Sequence, residues 1–394
     1  MPKMTVKDIE VKEERVLVRV DFNVPMNHEG AITDDTRIRA SMPTIKYLLS
    51  QRSRIILCSH LGRPDGKVVK ELSLAPAGVR LSELLKMPVE TLNDCIGQQV
   101  EAAVSNMRGG TIVLLENLRF HPQEEANEPE FAKKLSSLAD VYVDDAFGSC
   151  HRSHASIVGI ARYLPAVSGL LLEKELTTLS RLTGNPERPF AVMIGGAKVA
   201  TKLGLLDNIL PKIDSLLFGG GMEATFIKSQ GFGIGASAVE NDQIDHVLKL
   251  KIKVKSAGVR LLFPTDLIIA QKLEAGSPFR IVSIDQIPEG WLIADVGPET
   301  IKAFTRELNR SRTVFWNGPL GVFEIPDFAK GTRSMAAALA ELNATTVIGG
   351  GSTAEAVVEM GLADKMSFVS TGGGASLELL QGKVLPGVAV LKDA

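Results

Sequence analysis

The sequence contains four glycine clusters that each follow a short apolar run and precede a helix-like segment, all in the second half of its 394 residues. They lie at residues 195–196, 219–221, 349–351 and 372–374. Glycine lets the backbone approach a ligand closely, and the free N–H groups and dipole at the start of a helix favour negative charge. One such turn is weak evidence because glycine also serves plain turns, but four in one half predict a crevice that holds a polyphosphate.

None of the four clusters carries a standard nucleotide-binding fingerprint. The sequence has no G-x-x-x-x-G-K-[ST], so it has no P-loop motif. The nearest approach to G-x-G-x-x-G lies at residues 231–235, after polar residues at 228–230 instead of a strand. We therefore interpret 231–235 as a loop and disfavour a Rossmann dinucleotide site.

The first half places arginine and histidine, not glycine clusters, where predicted strands end. The basic residues are Arg37, His60, Arg63, Arg119, His121 and Arg152, and Asp21 and Asn23 stand with them at the end of the first predicted strand. Arginine binds carboxylate and phosphate through paired hydrogen bonds, which suits a small substrate that carries both groups. Each arginine taken singly could be a surface salt-bridge partner, but that explanation accounts poorly for the whole set.

A pair of histidines, His151 and His154, has the spacing of half a metal site. No Cys, Asp or Glu stands near it at ligand spacing, so we expect substrate contact or packing at this pair, not metal binding.

Alternating strand and helix patterns must position both sets of residues. Strands are predicted at 16–22, 55–59, 111–115 and 141–144 in the first half and at 216–218, 261–263, 313–316, 346–348 and 367–370 in the second. Helices are predicted at 38–49 and 128–138, and a longer amphipathic helix at 170–182 marks a domain junction. These patterns predict an α/β fold of two Rossmann-like domains, 1–170 and 171–377, with mainly parallel sheets and ligands beyond the carboxyl ends of the strands.

Charge and cysteine usage limit the classes of function. The chain has 44 Lys+Arg against 46 Asp+Glu, which argues against a general nucleic-acid or membrane-surface binder. Cys58, Cys95 and Cys150 are far apart and form no C-x-x-C, which is typical of free thiols in a reducing compartment and not of disulfides or a zinc site. No apolar run has the length of a signal peptide or a membrane span. We expect a soluble cytoplasmic protein.

Six segments together resemble the signature segments of the phosphoglycerate kinase family. They are 19–25 (RVDFNVP), 59–63 (SHLGR), 115–120 (LENLRF), 195–199 (GGAKV), 316–324 (WNGPLGVFE) and 370–376 (STGGGAS). They stand in that family's order and extend over nearly the whole chain, so agreement by chance is negligible.

The resemblance implies a two-domain glycolytic enzyme that moves a phosphoryl group between 1,3-bisphosphoglycerate and ADP, giving 3-phosphoglycerate and Mg-ATP. It assigns 3-phosphoglycerate to the N-terminal domain, at Asp21, Asn23, Arg37, His60, Leu61, Gly62, Arg63, Arg119 and Arg152. It assigns the nucleotide to Gly196, Lys198, Lys202, Gly219, Gly220, Ile293, Asn317, Pro319, Glu324, Gly350, Gly351, Ser352 and Thr353, with Glu324 at the ribose hydroxyls. It also implies a monomer whose last residues, 378–394, pack on the N-terminal domain.

The residue types agree with this chemistry. A carboxylate acceptor is ionised at neutral pH, since carboxyl pKa values lie near ~4, and it needs no general base. Positioning and charge neutralisation dominate such a transfer. The expected catalytic groups are Arg37, Lys198, Mg²⁺ and the helix start at Gly373 and Gly374, with Asp21 orienting Arg37 or a substrate hydroxyl. Because the two half-sites belong to different domains, a hinge closure is expected to join them.

Several points stay open at the level of the sequence. The spacing of Lys198 and Lys202 predicts that both lie on one face of a first helical turn. Ser352 stands where the family usually has an Asp that helps hold Mg²⁺, so the metal ligands are unassigned, with Ser352 the one candidate. Ile293 stands where many relatives have a smaller residue near the adenine.

Two other functions remain as alternatives. Another ATP-dependent carboxylate kinase would leave Arg63, Arg119 and Arg152 partly surplus. A nucleotide-sensing binding protein would keep the glycine turns but would not need Lys198 and Arg37. The preference for ATP over GTP is not determined by these residues.

Overall fold

The computed structural model describes residues 2–394, which form two compact units. The first unit contains the residues up to Thr177 together with Val384–Ala394, and the second is Thr178–Lys383. The chain passes from the first to the second within the helix Leu170–Thr183, at whose beginning the predicted domain division lies. No helix among residues 2–394 is long and apolar enough to cross a membrane.

The first unit is built on a six-stranded sheet in which every strand pair is parallel. Its strands are β1 (Arg15–Arg19), β2 (Arg54–Cys58), β3 (Glu90–Thr91), β4 (Ile112–Leu114), β5 (Val141–Asp144) and β6 (Ala166–Ser168). Its helices are α1 (Thr36–Ser50), α2 (Ala75–Leu85), α3 (Gln98–Ser105), α4 (Pro122–Glu125), α5 (Pro129–Ser136) and α6 (Leu170–Thr183). The order β3-β4-β2-β1-β5-β6 puts the first strand near the middle of the sheet.

The short apolar strands of this sheet are buried on both faces, which explains their near-continuous runs of Val, Ile and Leu. Val16 pairs with Ile55 on one side and with Val141 on the other. The loops that follow β1, β2, β4 and β5 therefore leave from one edge of the sheet, and they carry the predicted substrate-binding residues.

The last residues of the chain pack against this first unit. Helix α14 (Pro386–Ala389) begins beside Cys150, whose carbonyl accepts a hydrogen bond from the Gly387 N–H at 2.9 Å. The Lys392 N–H donates to the Ala166 carbonyl, and the Lys3 ammonium lies 2.7 Å from the Asp393 carboxylate.

The second unit contains another six-stranded parallel sheet, in the order β15-β14-β13-β7-β8-β9. Its strands are β7 (Phe190–Ile194), β8 (Ser215–Phe218), β9 (Arg260–Leu262), β13 (Thr313–Asn317), β14 (Thr345–Gly349) and β15 (Phe368–Val369). Its helices are α7 (Leu203–Ile209), α8 (Glu223–Lys228), α9 (Ile244–Ser256), α10 (Pro298–Leu308), α11 (Lys330–Ala340), α12 (Gly351–Glu359) and α13 (Gly374–Leu380). The predicted α/β class with mainly parallel sheets is confirmed.

A separate three-stranded antiparallel sheet in the second unit was not predicted. It consists of β10 (Asp266–Ala270), β11 (Phe279–Ser283) and β12 (Leu292–Val296), in the order β11-β10-β12. Strand β11 is mostly exposed and mixes polar with apolar residues, so its sequence lacks the buried-strand pattern used for the other predictions.

The predicted helical turn carrying Lys198 and Lys202 was wrong. Helix α7 begins only at Leu203, and residues 195–202 form a loop. In this loop the Val199 and Ala200 N–H groups donate to the Glu240 carboxylate, at 2.6 and 3.3 Å, and the Lys202 N–H donates to the Val199 carbonyl in a tight turn. The other three glycine clusters do lead directly into helices, at α8, α12 and α13.

Candidate active site

A cavity of about 390 Å³ opens in the second unit where β7, β13 and β14 end. It is lined by Gly196, Ala197, Lys198, Thr201, Lys202, Asn317, Gly318, Pro319, Gly350, Gly351, Ser352, Thr353, Gly373, Gly374 and Leu377. Three of the four predicted glycine clusters thus meet around one space. Its size is that of a typical small-molecule site.

The floor of this cavity is a close approach between two strand ends. Gly318 has φ +99°, and a Cβ atom there would clash with the Gly195 carbonyl oxygen, so only glycine fits. The Gly318 N–H donates to the Thr353 hydroxyl at 2.7 Å, which ties the end of β13 to the start of α12. The glycine turns are therefore held in register with each other before any ligand arrives.

Asn317 offers an unused donor beside one of these turns. Its side chain is fully buried, and its Oδ1 accepts a hydrogen bond from the Lys202 ammonium. Its Nδ2 has no hydrogen-bond partner among residues 2–394, and a Cβ on Gly350 would lie 2.8 Å from it. Because a buried amide without a partner is costly, this donor indicates a ligand acceptor at the turn.

The charge of the cavity is positive. Lys198 is exposed and Lys202 half-buried, and burial lowers the pKa of Lys202 from 10.5 to about 8. No Asp or Glu stands among the lining residues. Two amines, neutral hydroxyls and backbone N–H groups suit an anion such as a phosphate chain.

Four predicted nucleotide residues do not line this cavity. The Gly219 and Gly220 N–H groups donate to the Ile194 and Leu320 carbonyls, at 2.9 and 3.0 Å. Ile293 lies in β12, where it packs on the apolar cluster that includes Ile227, Leu267 and Ile287. Glu324 is exposed on the turn after Phe323.

Glu223 is an unusual residue that the sequence did not bring to notice. Its carboxyl group is buried, and neither oxygen has a hydrogen-bond partner among residues 2–394. Burial, and then the nearby Asp295 charge, raise the pKa of Glu223 well above its ordinary value. The cavity residues missed by the sequence are Ala197, Thr201, Gly318 and Leu377, of which only Ala197 and Gly318 stand in quoted signature segments.

In the first unit, Asp21 and Arg37 form an ion pair at the carboxyl end of β1. The Arg37 Nη1 donates to the Asp21 Oδ2 at 2.5 Å. Burial alone would raise the pKa of Asp21, but Arg37, then His60 and Arg19, hold it below its ordinary value. Asp21 is thus a carboxylate that fixes the Arg37 guanidinium, while about a third of the Arg37 side chain stays exposed.

His60 is a buried neutral imidazole beside this pair. Its Nδ1 lies 3.1 Å from the Nη2 of the buried Arg19. Burial, and then the Arg19 charge, hold the His60 pKa well below 6.5. His60 therefore acts as a neutral hydrogen-bonding group and not as a cation. The sequence groups it with the arginines as a basic residue that binds substrate.

The loop after β2 is fastened by three polar side chains. The Asn23 Oδ1 accepts from the Gly62 N–H at 2.9 Å, and the Arg119 Nη1 donates to the Gly62 carbonyl at 2.8 Å. The Asn117 amide pairs with both backbone groups of Leu61, at 2.7 and 3.2 Å. The Arg119 Nε lies 3.1 Å from Glu125 Oε1 without hydrogen-bond geometry, so this buried guanidinium keeps an unused donor.

Arg63 and Arg152 supply two further guanidinium groups. Arg63 is exposed and Arg152 half-buried, and neither has an ion-pair partner among residues 2–394. The charge of Arg152 acts on Arg119, and the charges of Arg37 and Arg119 act on His60. Arg37, His60, Arg119 and Arg152 are thus close together, whereas no such interaction links Arg63 to them.

His154 has a packing role, as one of the two options expected from the sequence. It is buried, and burial lowers its pKa to about 4. It lies 3.9 Å from the Glu124 carboxylate and belongs to no cluster of three metal-ligating side chains among residues 2–394.

Comparison with known proteins gives one consistent result. The family model described as phosphoglycerate kinase matches residues 6–383. The chain is 52% identical over 393 residues to phosphoglycerate kinase from Moorella thermoacetica, covering 100% of both chains. It is 53% identical to the cytosolic phosphoglycerate kinase of Nicotiana tabacum, covering 99% of this chain and 98% of that one. The structure of phosphoglycerate kinase from Coxiella burnetii has a TM-score of 0.87 at 40% identity, over 99% of this chain and 98% of that one.

Proposed function

The chain belongs to the phosphoglycerate kinase family, and from this premise we propose how its residues divide the work between the two units. It transfers a phosphoryl group reversibly between 1,3-bisphosphoglycerate and ADP on one side and 3-phosphoglycerate and ATP on the other, a step of glycolysis. Identity near 50% over the full length favours this reaction over that of another carboxylate kinase.

The nucleotide binds with its phosphates in the second-unit cavity. The observation that carries this assignment is the convergence of Lys198, Lys202 and the unused Asn317 amide on the glycine turns. Ser352 and Thr353 are in the first turn of α12, where N–H groups and helix dipole favour negative charge. Lys198, which is exposed and has no ion-pair partner among residues 2–394, neutralises charge on the transferred group.

The purine and ribose lie outside this cavity, toward Gly219, Gly220, Ile293 and Glu324. The N–H groups of Gly219 and Gly220 are already bonded, so these glycines serve close approach and not hydrogen bonding. Ile293 and the apolar cluster beside it offer the kind of surface on which a base packs. Glu324 is exposed and free to accept hydrogen bonds from ribose hydroxyls.

The acceptor binds in the first unit. Arg37, oriented by Asp21, neutralises charge at the reacting carboxylate, and Asn23 and His60 contribute neutral hydrogen bonds. Arg63, Arg119 and Arg152 bind the phosphate at the other end of the substrate. The acceptor carboxylate is ionised at neutral pH, so no residue has to act as a general base. A hinge between the units stays a prediction.

Mg²⁺ enters with the nucleotide. Mg²⁺ prefers hard oxygen ligands and keeps several waters, and the cavity provides hydroxyl oxygens but no carboxylate. This donor set fits a metal held mainly by phosphate oxygens. The Ser352 hydroxyl is the protein group that we assign as its candidate ligand. When bound, the ion supplies positive charge that offsets the charge of the phosphate oxygens.

The chain is expected to act in the cytoplasm as a monomer. Support for the compartment comes from the cytosolic relative and from three cysteines that are all buried and free.

A coupled assay tests the function directly. Purified chain with ATP, Mg²⁺ and 3-phosphoglycerate should form ADP, whereas glycerate without the phosphate should give at least a hundredfold lower kcat/KM if three arginines bind that phosphate. Equal rates with the two acceptors would overturn the substrate assignment. An R63A variant, which keeps Arg119 and Arg152, should lose part of this discrimination.

A further inference from the structure

One group of metal-ligating side chains in the first unit has no part in the proposed function. Among residues 2–394, a single cluster brings together three or more His, Cys, Asp or Glu ligand atoms, and it consists of Asp94, Cys95 and His121. The three ligand atoms all lie within 4.8 Å of one another. We infer that Asp94, Cys95 and His121 form a binding site for Zn²⁺ or a similar borderline-soft divalent ion.

The topology brings these residues together. Asp94 and Cys95 follow β3, His121 follows β4, and β3 and β4 are parallel neighbours. Both loops therefore leave the same edge of the sheet. The Glu116 N–H donates to the Asp94 carbonyl at 3.3 Å, which holds the two loops side by side. A search of the sequence for C-x-x-C spacing cannot find this site because its third ligand is distant along the chain.

The ligand atoms have the chemistry of a zinc site. A thiolate, an imidazole and a carboxylate are each regular Zn²⁺ ligands, and three protein ligands with a water complete a tetrahedron. Mg²⁺ and Ca²⁺ would not select the sulfur, whereas Zn²⁺ and Co²⁺ do. The His121 Nε2 now lies 2.7 Å from the Asp94 Oδ1. In a tetrahedral site with bonds near 2.1 Å, nitrogen and oxygen ligands stand about 3.4 Å apart, so a small opening admits the ion.

Burial and packing prepare the three ligands differently. Cys95 is 1% exposed, and its N–H donates to the Asp94 Oδ1 at 2.6 Å, which fixes the carboxylate beside the thiol. The His121 ring packs against Phe131 with ring centres 5.4 Å apart. Asp94 is about half exposed and His121 about a quarter, so an ion can reach the site from solvent. The Cys95 side of the site is therefore buried and fixed, and the side with Asp94 and His121 is open to solvent.

The electrostatic surroundings favour a cation. Burial is the main cause that raises the pKa of the Cys95 thiol, and the negative charges of Asp94 and Glu124, which raise it further, also attract a cation. Binding takes the proton from the Cys95 thiol and releases it to solvent, so the thiolate forms only with the ion. Binding of the ion at Nε2 of His121 replaces the contact between Nε2 and the Asp94 Oδ1, and the imidazole then keeps its proton on Nδ1. Metal affinity should therefore fall as the pH is lowered.

The test uses the full chain after treatment with a chelator and without nucleotide, which would compete for the metal. Calorimetric titration with Zn²⁺ should give one site per chain, and Co²⁺ should produce a sulfur-to-cobalt charge-transfer band. C95A should abolish the band, and D94N and H121Q should each weaken Zn²⁺ binding by at least about tenfold, since even indirect partners of a metal commonly cost that much. C58A and H246Q are matched controls that should behave as the unaltered chain.

Two results would overturn the inference. One is a lack of any Co²⁺ band with the unaltered chain, and the other is equal Zn²⁺ affinity in the unaltered chain and D94N. Since Asp94 is on the surface, D94N tests the site even where loss of the buried Cys95 thiol disturbs folding. The outcome is independent of the proposed assignment of substrate and nucleotide residues.

Discussion

Lys202 should make nucleotide binding depend on pH between pH 7 and pH 9. Its amine is half-buried in the cavity, and burial lowers its pKa to about 8. A phosphate chain needs the charged amine, so the free enzyme must be protonated at Lys202 to bind ADP well. At pH 7 roughly nine-tenths of the free enzyme is in that form, and at pH 9 roughly one-tenth.

The expected size of the effect follows from these fractions. Because apparent affinity is scaled by the fraction of competent enzyme, the Kd for Mg-ADP should rise about tenfold from pH 7 to pH 9, or about 1.4 kcal/mol. The phosphates lose their last proton near pH ~6, so their own charge changes little in this interval. The matched variant is K202R, which keeps its charge at every pH in the range and should remove the slope.

Calorimetric titrations of both proteins at several pH values provide the measurement. K202A should bind weakly at pH 7, and above pH 9 it should approach the unaltered chain. A Kd that rises equally in K202R would assign the pH dependence to another group, and a flat profile in the unaltered chain would refute the burial argument.

The same amine should affect stability with the opposite sign. A folded-state pKa near 8 against 10.5 when unfolded means that the unfolded chain binds more protons between these values. The penalty is present in full below pH 8 and is relieved as the pH rises toward 10.5, by an amount on the order of 3 kcal/mol. Thermal unfolding of K202A without nucleotide should lose this rise, whereas a rise of equal size in K202A would exclude Lys202 as its cause.

Three further predictions concern single side chains. R37A should lower kcat by two orders of magnitude or more, since it removes an electrostatic contribution of roughly 3 kcal/mol. R63A should mainly raise the KM for 3-phosphoglycerate. If steady-state kinetics showed the reverse pattern, Arg37 would not be the residue that stabilises the transition state. K198A should slow turnover while calorimetry still finds near-normal ADP binding, and an unchanged kcat would remove Lys198 from catalysis. S352D should tighten Mg-ADP binding and weaken or leave unchanged the binding of metal-free ADP, because a carboxylate attracts the ion and repels bare phosphate. Equal shifts of the Kd in titrations with and without Mg²⁺ would place residue 352 away from the metal.

The strands of the parallel sheets could be predicted because each is recognisable from its own few residues. The segments at β5 and β13 are short apolar runs bounded by polar residues, and the predicted and observed bounds differ by one residue or less. The convergence of the glycine turns also followed from the sequence, since loops at the carboxyl ends of parallel strands meet at one edge. The Asp21–Arg37 pair was among the options expected from their positions.

Other features depended on partners far away in the chain. The loop at 195–202 is held by Glu240, which accepts from the Val199 and Ala200 N–H groups, and no local pattern indicates that contact. Burial first, and then the charge of Arg19, lower the pKa of His60, and the sequence presents Arg19 only as an ordinary residue of β1. The meeting of Asp94 with His121 depends on the pairing of β3 with β4. Contacts of this kind follow from the fold and not from spacing.

The return of residues Val384–Ala394 to the first unit has a consequence for synthesis on the ribosome. The second unit is one uninterrupted segment, whereas the first consists of two segments with the entire second unit between them. Leu385 and Leu391 are buried, and a Cβ on Gly387 would meet Ile157 at 2.7 Å, so this last segment fits closely into the first unit. A nascent chain thus has everything required for the second unit before the first can complete its core, even though the first unit is translated earlier. Until these residues have been translated and have left the ribosome, the surface that receives Leu385 and Leu391 stays uncovered, which is where a chaperone would find apolar residues.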